Sequence, residues 1–170
     1  MKALIPSLVG VLALTACAAT PHAQTAAPAP APAPVHTVLP AKDVKWSPAP
    51  ASLPPGAQIS LLQGDPSKPE VFVLRLRFPK GYHLPAHTHP GTEIVTVISG
   101  VFKLGEGESA DPKKTQAKKT QALNAGSFFA FSPGMAHYAY TDTDTVVQLS
   151  TMGPWSLKYV NAADDPRNKK

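Results

Sequence analysis

Alternation of apolar and polar residues is the clearest pattern in the chain. In residues 71–78, Val-Phe-Val-Leu-Arg-Leu-Arg-Phe, every second side chain is apolar and two arginines fall between them, as on a half-buried strand. Shorter β-branched or aromatic runs follow at 93–98, 126–131 and 145–151, and glycine or proline separates them. No stretch has the 3.6-residue period of an amphipathic helix. The pattern therefore predicts an all-β domain, an antiparallel sandwich or barrel.

The beginning of the chain has a different pattern. Lys2 precedes an apolar run at 3–14, which has the length of a signal-peptide core and is too short to span a bilayer as a helix. Cys17, the only cysteine, follows in Leu-Thr-Ala-Cys, which resembles a bacterial lipobox, where the cysteine is diacylated and becomes the mature N-terminus. We therefore interpret residues 1–17 as a signal peptide with a lipidation site. The alternative is an ordinary cleaved signal, cut after Ala23.

A proline-rich segment connects this leader to the rest of the chain. Residues 18–45 are rich in alanine and proline, and proline fixes φ and lacks an N–H, which predicts a disordered, extended tether. From residue 46 the composition becomes globular, so we assign 46–170 to one domain. Acyl chains on a cysteine are a sufficient membrane anchor. Because Ala18 rather than aspartate follows Cys17, the lipobox resemblance favours an exported, periplasmic protein anchored in the outer membrane.

The charge distribution argues against nucleic acid as a partner, and the cysteine content argues against disulfide bonds. The net charge of +5 is concentrated in lysines at 113–119 and in basic residues at 167–170. No basic face interleaved with aromatic residues is present, so nucleic-acid binding is not expected. No cysteine follows Cys17, so the domain has no disulfide and must be stabilised by its core, with a metal ion as the remaining candidate.

Residues that bind metals fall in one short stretch. His87 and His89 are two residues apart, so on a strand both imidazoles leave the same face, and Glu93 keeps that register if the pairing is unbroken. Val95 and Val97 continue this face toward an apolar interior. Polar groups buried on an apolar face need a shared partner, and a metal ion is the simplest one.

Two segments, 81–100 and 126–141, resemble the two sequence motifs of the cupin superfamily. The first motif is glycine, five residues, His-x-His, three residues, glutamate, six residues and glycine, and it is matched by Gly81, His87, His89, Glu93 and Gly100. The second motif is matched by Gly126, Gly134 and His137, whereas Ser132 stands where proline is usual and Thr141 replaces asparagine.

The resemblance implies a single jelly-roll β-barrel of six to eight strands, with one metal ion inside. It assigns His87, His89, Glu93 and His137 as the ligands. Three imidazoles and a carboxylate suit a divalent transition metal, namely Fe, Mn, Ni, Zn or Cu. Four protein ligands on an octahedral ion leave positions open for a small-molecule ligand, and Glu93 is also the candidate catalytic base.

Five further residues are candidates for the surroundings of this site. His83 shares the sequence parity of His87 and could stand behind a ligand and orient it, lie at the strand entrance, or bind the ion directly. Phe129, Phe131, Met135 and Trp155 could line an apolar pocket around the ion; the alternative is that each is part of the core.

The resemblance leaves two classes of function open. One is a metal-dependent enzyme with oxygenase- or isomerase-like activity on a small molecule. The other is a non-catalytic metal- or ligand-binding module, or a sensor, at the cell surface. Cupin barrels commonly pair through an exposed sheet edge, so the resemblance also implies a homodimer.

Overall fold

The structure is a computed structural model that describes residues 36–108 and 120–169. The leader at 1–17 with Cys17, the tether as far as residue 35 and the lysines at 113–119 lie outside the described residues. The folded unit begins at His36. It therefore includes the last part of the predicted tether, which is mostly exposed and contains one 3-10 turn at Ala41–Asp43.

The described residues contain eleven strands, and all of their pairings are antiparallel. They are β1 (Ser47–Pro48), β2 (Gln58–Gln63), β3 (Val71–Phe78), β4 (His83–Thr88), β5 (Glu93–Ser99), β6 (Val101–Glu106), β7 (Gln121–Asn124), β8 (Phe128–Phe131), β9 (His137–Thr141), β10 (Thr145–Met152) and β11 (Lys158–Tyr159). Two more 3-10 turns follow at Ala162–Asp164 and Pro166–Asn168. No helix within the described ranges is long and apolar enough to cross a membrane.

The strands form two sheets whose facing sides enclose the core. The six-stranded sheet has the order β1-β2-β3-β10-β5-β8, and the five-stranded sheet has the order β11-β4-β9-β6-β7. The all-β jelly-roll prediction is confirmed. The strand number exceeds the six to eight expected, partly because β1 and β11, of two residues each, add to the edges of the two sheets.

Strand β3 shows how the alternating pattern builds the core. Phe72, Leu74 and Phe78 are 0%, 4% and 2% exposed and face the opposite sheet. The arginines between them lie on the outer side: Arg75 donates a hydrogen bond from Nε to Gln148 Oε1 (3.1 Å). Arg77 lies over the ring of Trp46, 4.2 Å from its centroid, which is a cation–π contact. Both arginines thus contact the outer face of the sheet.

The chain crosses from one sheet to the other between β5 and β6, where only glycine fits. Gly100 has φ +77°, a conformation that side-chain-bearing residues rarely adopt. A Cβ at this position would lie 2.3 Å from the Asp144 carbonyl oxygen. The tight crossing keeps β5 and β6 in opposite layers, so residues of both sheets can face the same interior.

Gly105 provides a test of packing between β6 and β9. A Cβ there would lie 2.1 Å from Cζ of Tyr138, a ring that is 2% exposed and has little room to move. We expect Gly105→Ala to lower the free energy of unfolding by about 1–3 kcal/mol through overpacking. Gly91→Ala is the matched control, because its Cβ would meet nothing closer than 3.6 Å. Equal urea-denaturation midpoints for the two variants would contradict this packing.

Candidate metal centre

Three histidines meet inside the domain. His87 on β4 is the cross-strand partner of His137 on β9, and His89 follows directly after the end of β4. Their side chains are buried, at 1%, 3% and 7% exposed for His87, His137 and His89. One ring nitrogen from each lies within 4.8 Å of the others. The three imidazoles are therefore placed to face a single ion.

Glu93 joins this cluster from the opposite sheet. The sequence keeps Glu93 in register with His87 and His89 only if the pairing is unbroken, and the structure does not meet this condition: β4 ends at Thr88, and Glu93 is the first residue of β5 in the other sheet. The Glu93 Oε2 atom is 2.9 Å from His137 Nε2, and Oε1 is 3.6 Å from His89 Nε2. The carboxylate thus reaches the histidines across the space between the sheets.

His83 lies outside the cluster. The pairing of β4 with β9 shifts register between Leu84 and His87, which breaks the two-residue alternation that linked His83 to His87 in the sequence. As a result His83 is exposed, and its ring stacks on Tyr140 with centroids 4.4 Å apart. The structure therefore places His83 at the entrance of β4. It is not part of the histidine cluster and does not orient one of its members.

Backbone carbonyls fix the tautomer of all three imidazoles. The Nδ1 atoms of His87, His89 and His137 lie 2.7, 2.8 and 3.1 Å from carbonyl oxygens. The carbonyls belong, in the same order, to Pro85, Ser156 and Met135. A carbonyl oxygen can only accept, so Nδ1 must carry the proton and donate it. Each Nε2 is then left with a lone pair, which is how proteins orient imidazole ligands toward a metal.

With these tautomers, the centre is a group of acceptors without a donor. In a neutral imidazole with this tautomer, His137 Nε2 is an acceptor, and it lies 2.9 Å from the carboxylate oxygen Glu93 Oε2. His89 Nε2 and Glu93 Oε2 are buried without a hydrogen-bond partner. Buried acceptors left unpaired cost free energy, and a cation bound between them would remove that cost. Nitrogen-rich donors fit a divalent transition metal rather than the oxygen-seeking Mg²⁺ or Ca²⁺.

Burial favours the neutral, metal-binding form of His87 and His89. Desolvation lowers the pKa of His87 well below its usual value, and the neighbouring His137 and His89 lower it further. Desolvation also lowers the pKa of His89, and the Glu93 carboxylate offsets only part of this effect. Because protonated imidazole cannot bind a cation, the lowered pKa of these two groups favours an occupied site near neutral pH.

The aromatic candidates occupy different places around the histidines. Phe129 lines a small interior cavity of about 30 Å³, and the Phe131 ring centroid is 4.8 Å from that of His137. Trp155 stacks on His89, with centroids 4.2 Å apart and rings inclined by 17°, and lines a second cavity of about 310 Å³. Met135 is 44% exposed and lines neither of these cavities; it contributes its carbonyl oxygen to His137.

Sequence reasoning missed the carbonyl partners and most of the cavity wall. Backbone acceptors carry no side-chain signal, although two of them, Pro85 and Met135, stand two residues before the histidine that they hold. Thr141, which occupies the asparagine position of the second motif, has a structural role. Its hydroxyl donates to the Pro79 carbonyl (2.7 Å) and accepts from the Tyr82 amide (3.2 Å).

Part of the chain is similar to proteins of a known family. Residues 74–152 match the Cupin_2 family model, a cupin domain. Germin-like protein 12-2 of Oryza sativa subsp. japonica is 32% identical over 90 residues, which are 49% of this chain and 39% of the rice protein. The match therefore spans well under half of that relative's length.

Two solved structures share the fold at low sequence identity. The polyketide cyclase RemF from Streptomyces resistomycificus has a TM-score of 0.62 and 15% identity, over 78% of this chain and 90% of RemF. An acetylacetone dioxygenase from Acinetobacter johnsonii has a TM-score of 0.60 and 14% identity, over 84% of this chain and 88% of the dioxygenase. At these identities the likeness concerns the fold and carries no substrate with it.

Metal content separates the histidines of the centre from His83. We expect the untagged folded unit to bind about one equivalent of a divalent transition metal per chain. His87→Ala should lose it, because one imidazole is removed from the set, whereas His83→Ala should retain it. Elemental analysis after dialysis measures both. Equal metal content in the two variants would contradict the assignment.

Proposed function

Because the chain belongs to the cupin superfamily, we propose that it is a metal-dependent enzyme acting on a small molecule by oxygenase- or isomerase-like chemistry. One observation carries the proposal. Three Nε2 lone pairs and a carboxylate turn toward one point, and a cavity of about 310 Å³ adjoins that point. A structural zinc site is closed by its protein ligands, whereas a catalytic site keeps room for a reactant.

In this proposal His87, His89, Glu93 and His137 hold the ion, which is Fe, Mn, Ni, Zn or Cu. When bound, such an ion supplies Lewis acidity, and iron, manganese or copper adds one-electron redox chemistry. The remaining work belongs to the chain. The three carbonyls keep the imidazoles in a single tautomer, and the surrounding core excludes water from the inner side of the site.

Glu93 is the group best placed to move a proton. It is the only carboxylate among the residues that line the two cavities beside the histidines, and it borders both of them. Its Oε1 atom lies 3.6 Å from His89 Nε2, whereas Oε2 lies 2.9 Å from His137 Nε2. A carboxylate of this kind can accept a proton from a bound molecule and return it at another atom, as oxygenase and isomerase reactions both require.

Turnover by the metal-loaded protein tests the enzyme proposal. Dioxygen uptake and product mass spectra would be followed with phenol, diketone and thiol substrates after loading with each metal. We expect one metal and substrate class to give turnover, and Glu93→Gln to lower kcat by about 10²–10⁴-fold, the usual contribution of a general base. His83→Ala is the control and should keep full activity. Background rates with every metal and substrate would count against catalysis.

A non-catalytic binding module is the second candidate. The favouring observation is that, apart from Arg167, the ionisable side chains lining the two cavities are Glu93 and the three histidines, so no acid–base partner stands apart from the ion's proposed ligands. Such a module, or a sensor at the cell surface, would bind zinc tightly and give no turnover in the assay above.

We also propose that the protein is exported and held at the periplasmic side of the outer membrane through lipidated Cys17. The support is the leader sequence alone. Labelling with a radioactive fatty acid should mark the wild type but not Cys17→Ser. Equal labelling of the two proteins would refute the anchor.

A homodimer is the proposed assembly. Its support is a row of exposed apolar side chains on the outer face of the six-stranded sheet at its β5–β8 edge, namely Ile94, Ile98 and Phe128, which are 37%, 40% and 61% exposed. Such a row is a candidate surface for association. Sedimentation of the folded unit measures the mass directly, and a strictly monomeric mass at high protein concentration would end this proposal.

A further inference from the structure

The larger cavity indicates what class of molecule the site takes. We propose that it accepts a compact, largely apolar molecule with one polar end, rather than a sugar or another polyhydroxylated compound. The inference builds on the proposed metal centre, which would receive the polar end. It is carried by the chemistry of the cavity wall, independently of the identity of the ion.

The wall of the cavity is mostly hydrocarbon. Sixteen residues line it, and six of these have polar or charged side chains: Ser52, His87, His89, Glu93, Ser156 and Arg167. The other ten are proline, leucine, isoleucine or tryptophan. Leu74 and Leu149, from two neighbouring strands, are only 4% and 3% exposed. The volume of about 310 Å³ is at the lower limit for small-molecule sites, which favours a compact ligand.

The charged and imidazole groups of this lining are already engaged. His87, His89 and Glu93 face the proposed ion. The Ser156 carbonyl accepts from His89 Nδ1. The Arg167 guanidinium is held by Asp165, with Nε to Oδ1 at 2.8 Å and Nη2 to Oδ2 at 2.7 Å, so its charge is balanced.

Ring hydroxyls would therefore find few partners in this cavity. Along the wall between the histidines and Arg167, the hydroxyls of Ser52 and Ser156 are the neutral polar side-chain groups that a ligand could meet. A ligand hydroxyl moved from water to such a wall loses hydrogen bonds without replacement, whereas an apolar body gains by leaving water.

Packing on the other side of the centre fixes the direction of the ligand. The cavity between His137 and Phe129 is only about 30 Å³, which is the space of a water molecule rather than of a substrate. Of the two cavities that the histidines line, only the one of about 310 Å³ has room for a ligand. Its polar end would meet the histidines, and its body would lie against Leu157 and Trp155.

Part of this wall is formed by residues that lie outside the region matched by the family model. Trp155, Leu157 and Arg167 all follow residue 152, where the match to the family model stops. The strands that carry the histidines and Glu93 lie within the matched region, 74–152. Together with the wall residues before residue 74, the segment after residue 152 thus supplies nine of the sixteen wall residues from outside the matched region.

Cyclohexanol and myo-inositol provide a matched pair of probes, because both are six-membered rings and they carry one and six hydroxyl groups. The chain has two tryptophans, and Trp46 lies on Arg77 on the outer face of the sheet. In the zinc-loaded full chain with Trp46→Phe, the fluorescence of Trp155 therefore reports binding in the cavity. We expect a saturable change with cyclohexanol, at a concentration at least about tenfold below any response to myo-inositol.

Leu157→Asn tests the location. Placing an amide on the wall should weaken cyclohexanol binding several-fold, while Leu61→Asn, at a leucine that is 52% exposed and does not line the cavity, should leave it unchanged. The inference would be overturned if myo-inositol bound as tightly as cyclohexanol. It would also be overturned if cyclohexanol gave no saturable change in Trp155 fluorescence in the protein with Leu157 intact. Metal content is measured in the same samples. A metal-free protein that still prefers cyclohexanol would refute the proposed function and leave this inference standing.

Discussion

Three hydrogen bonds to backbone carbonyls determine which ring nitrogen of each buried histidine is free to bind a ligand. Each fixes a proton on Nδ1 of one histidine, and together they leave three Nε2 lone pairs and a carboxylate facing one another in a buried space. Without a cation, this arrangement of acceptors would be unfavourable. A cation bound among these groups would remove that cost, and the surrounding β-structure holds the four side chains in place around this point.

The two-layer architecture is what makes such a centre available. Histidines on the five-stranded sheet and a glutamate on the six-stranded sheet meet only because both faces turn toward a common interior. Aromatic and aliphatic side chains fill one side of the centre almost completely, while the other side keeps a cavity. This asymmetry gives the centre a closed side and an accessible side, the general arrangement of a site that binds a reactant.

Sequence alone predicted the fold class, because alternation along β3 and the glycine-punctuated runs report directly on half-buried strands. Motif spacing also identified the four residues that meet at the centre. It could not predict how they meet. The register shift in β4 that turns His83 outward, and the change of sheet before Glu93, depend on strand pairing. The cavity wall was missed for a similar reason, since Leu157 and Arg167 approach the histidines only in the folded chain.

The contacts of His89 link the end of the chain to the centre. His89 lies beyond the last residue of β4 and is held by the Ser156 carbonyl and the stacked ring of Trp155. The same segment continues into β11, which pairs with β4, and its Tyr159 hydroxyl donates to the Ser52 carbonyl. Docking of this segment and the orientation of the His89 imidazole therefore depend on the same contacts, and by thermodynamic reciprocity whatever stabilises one stabilises the other equally. Displacing residues 153–168 from the barrel would remove both contacts that orient the His89 imidazole, so the end of the described chain and the buried histidine cluster respond as one unit.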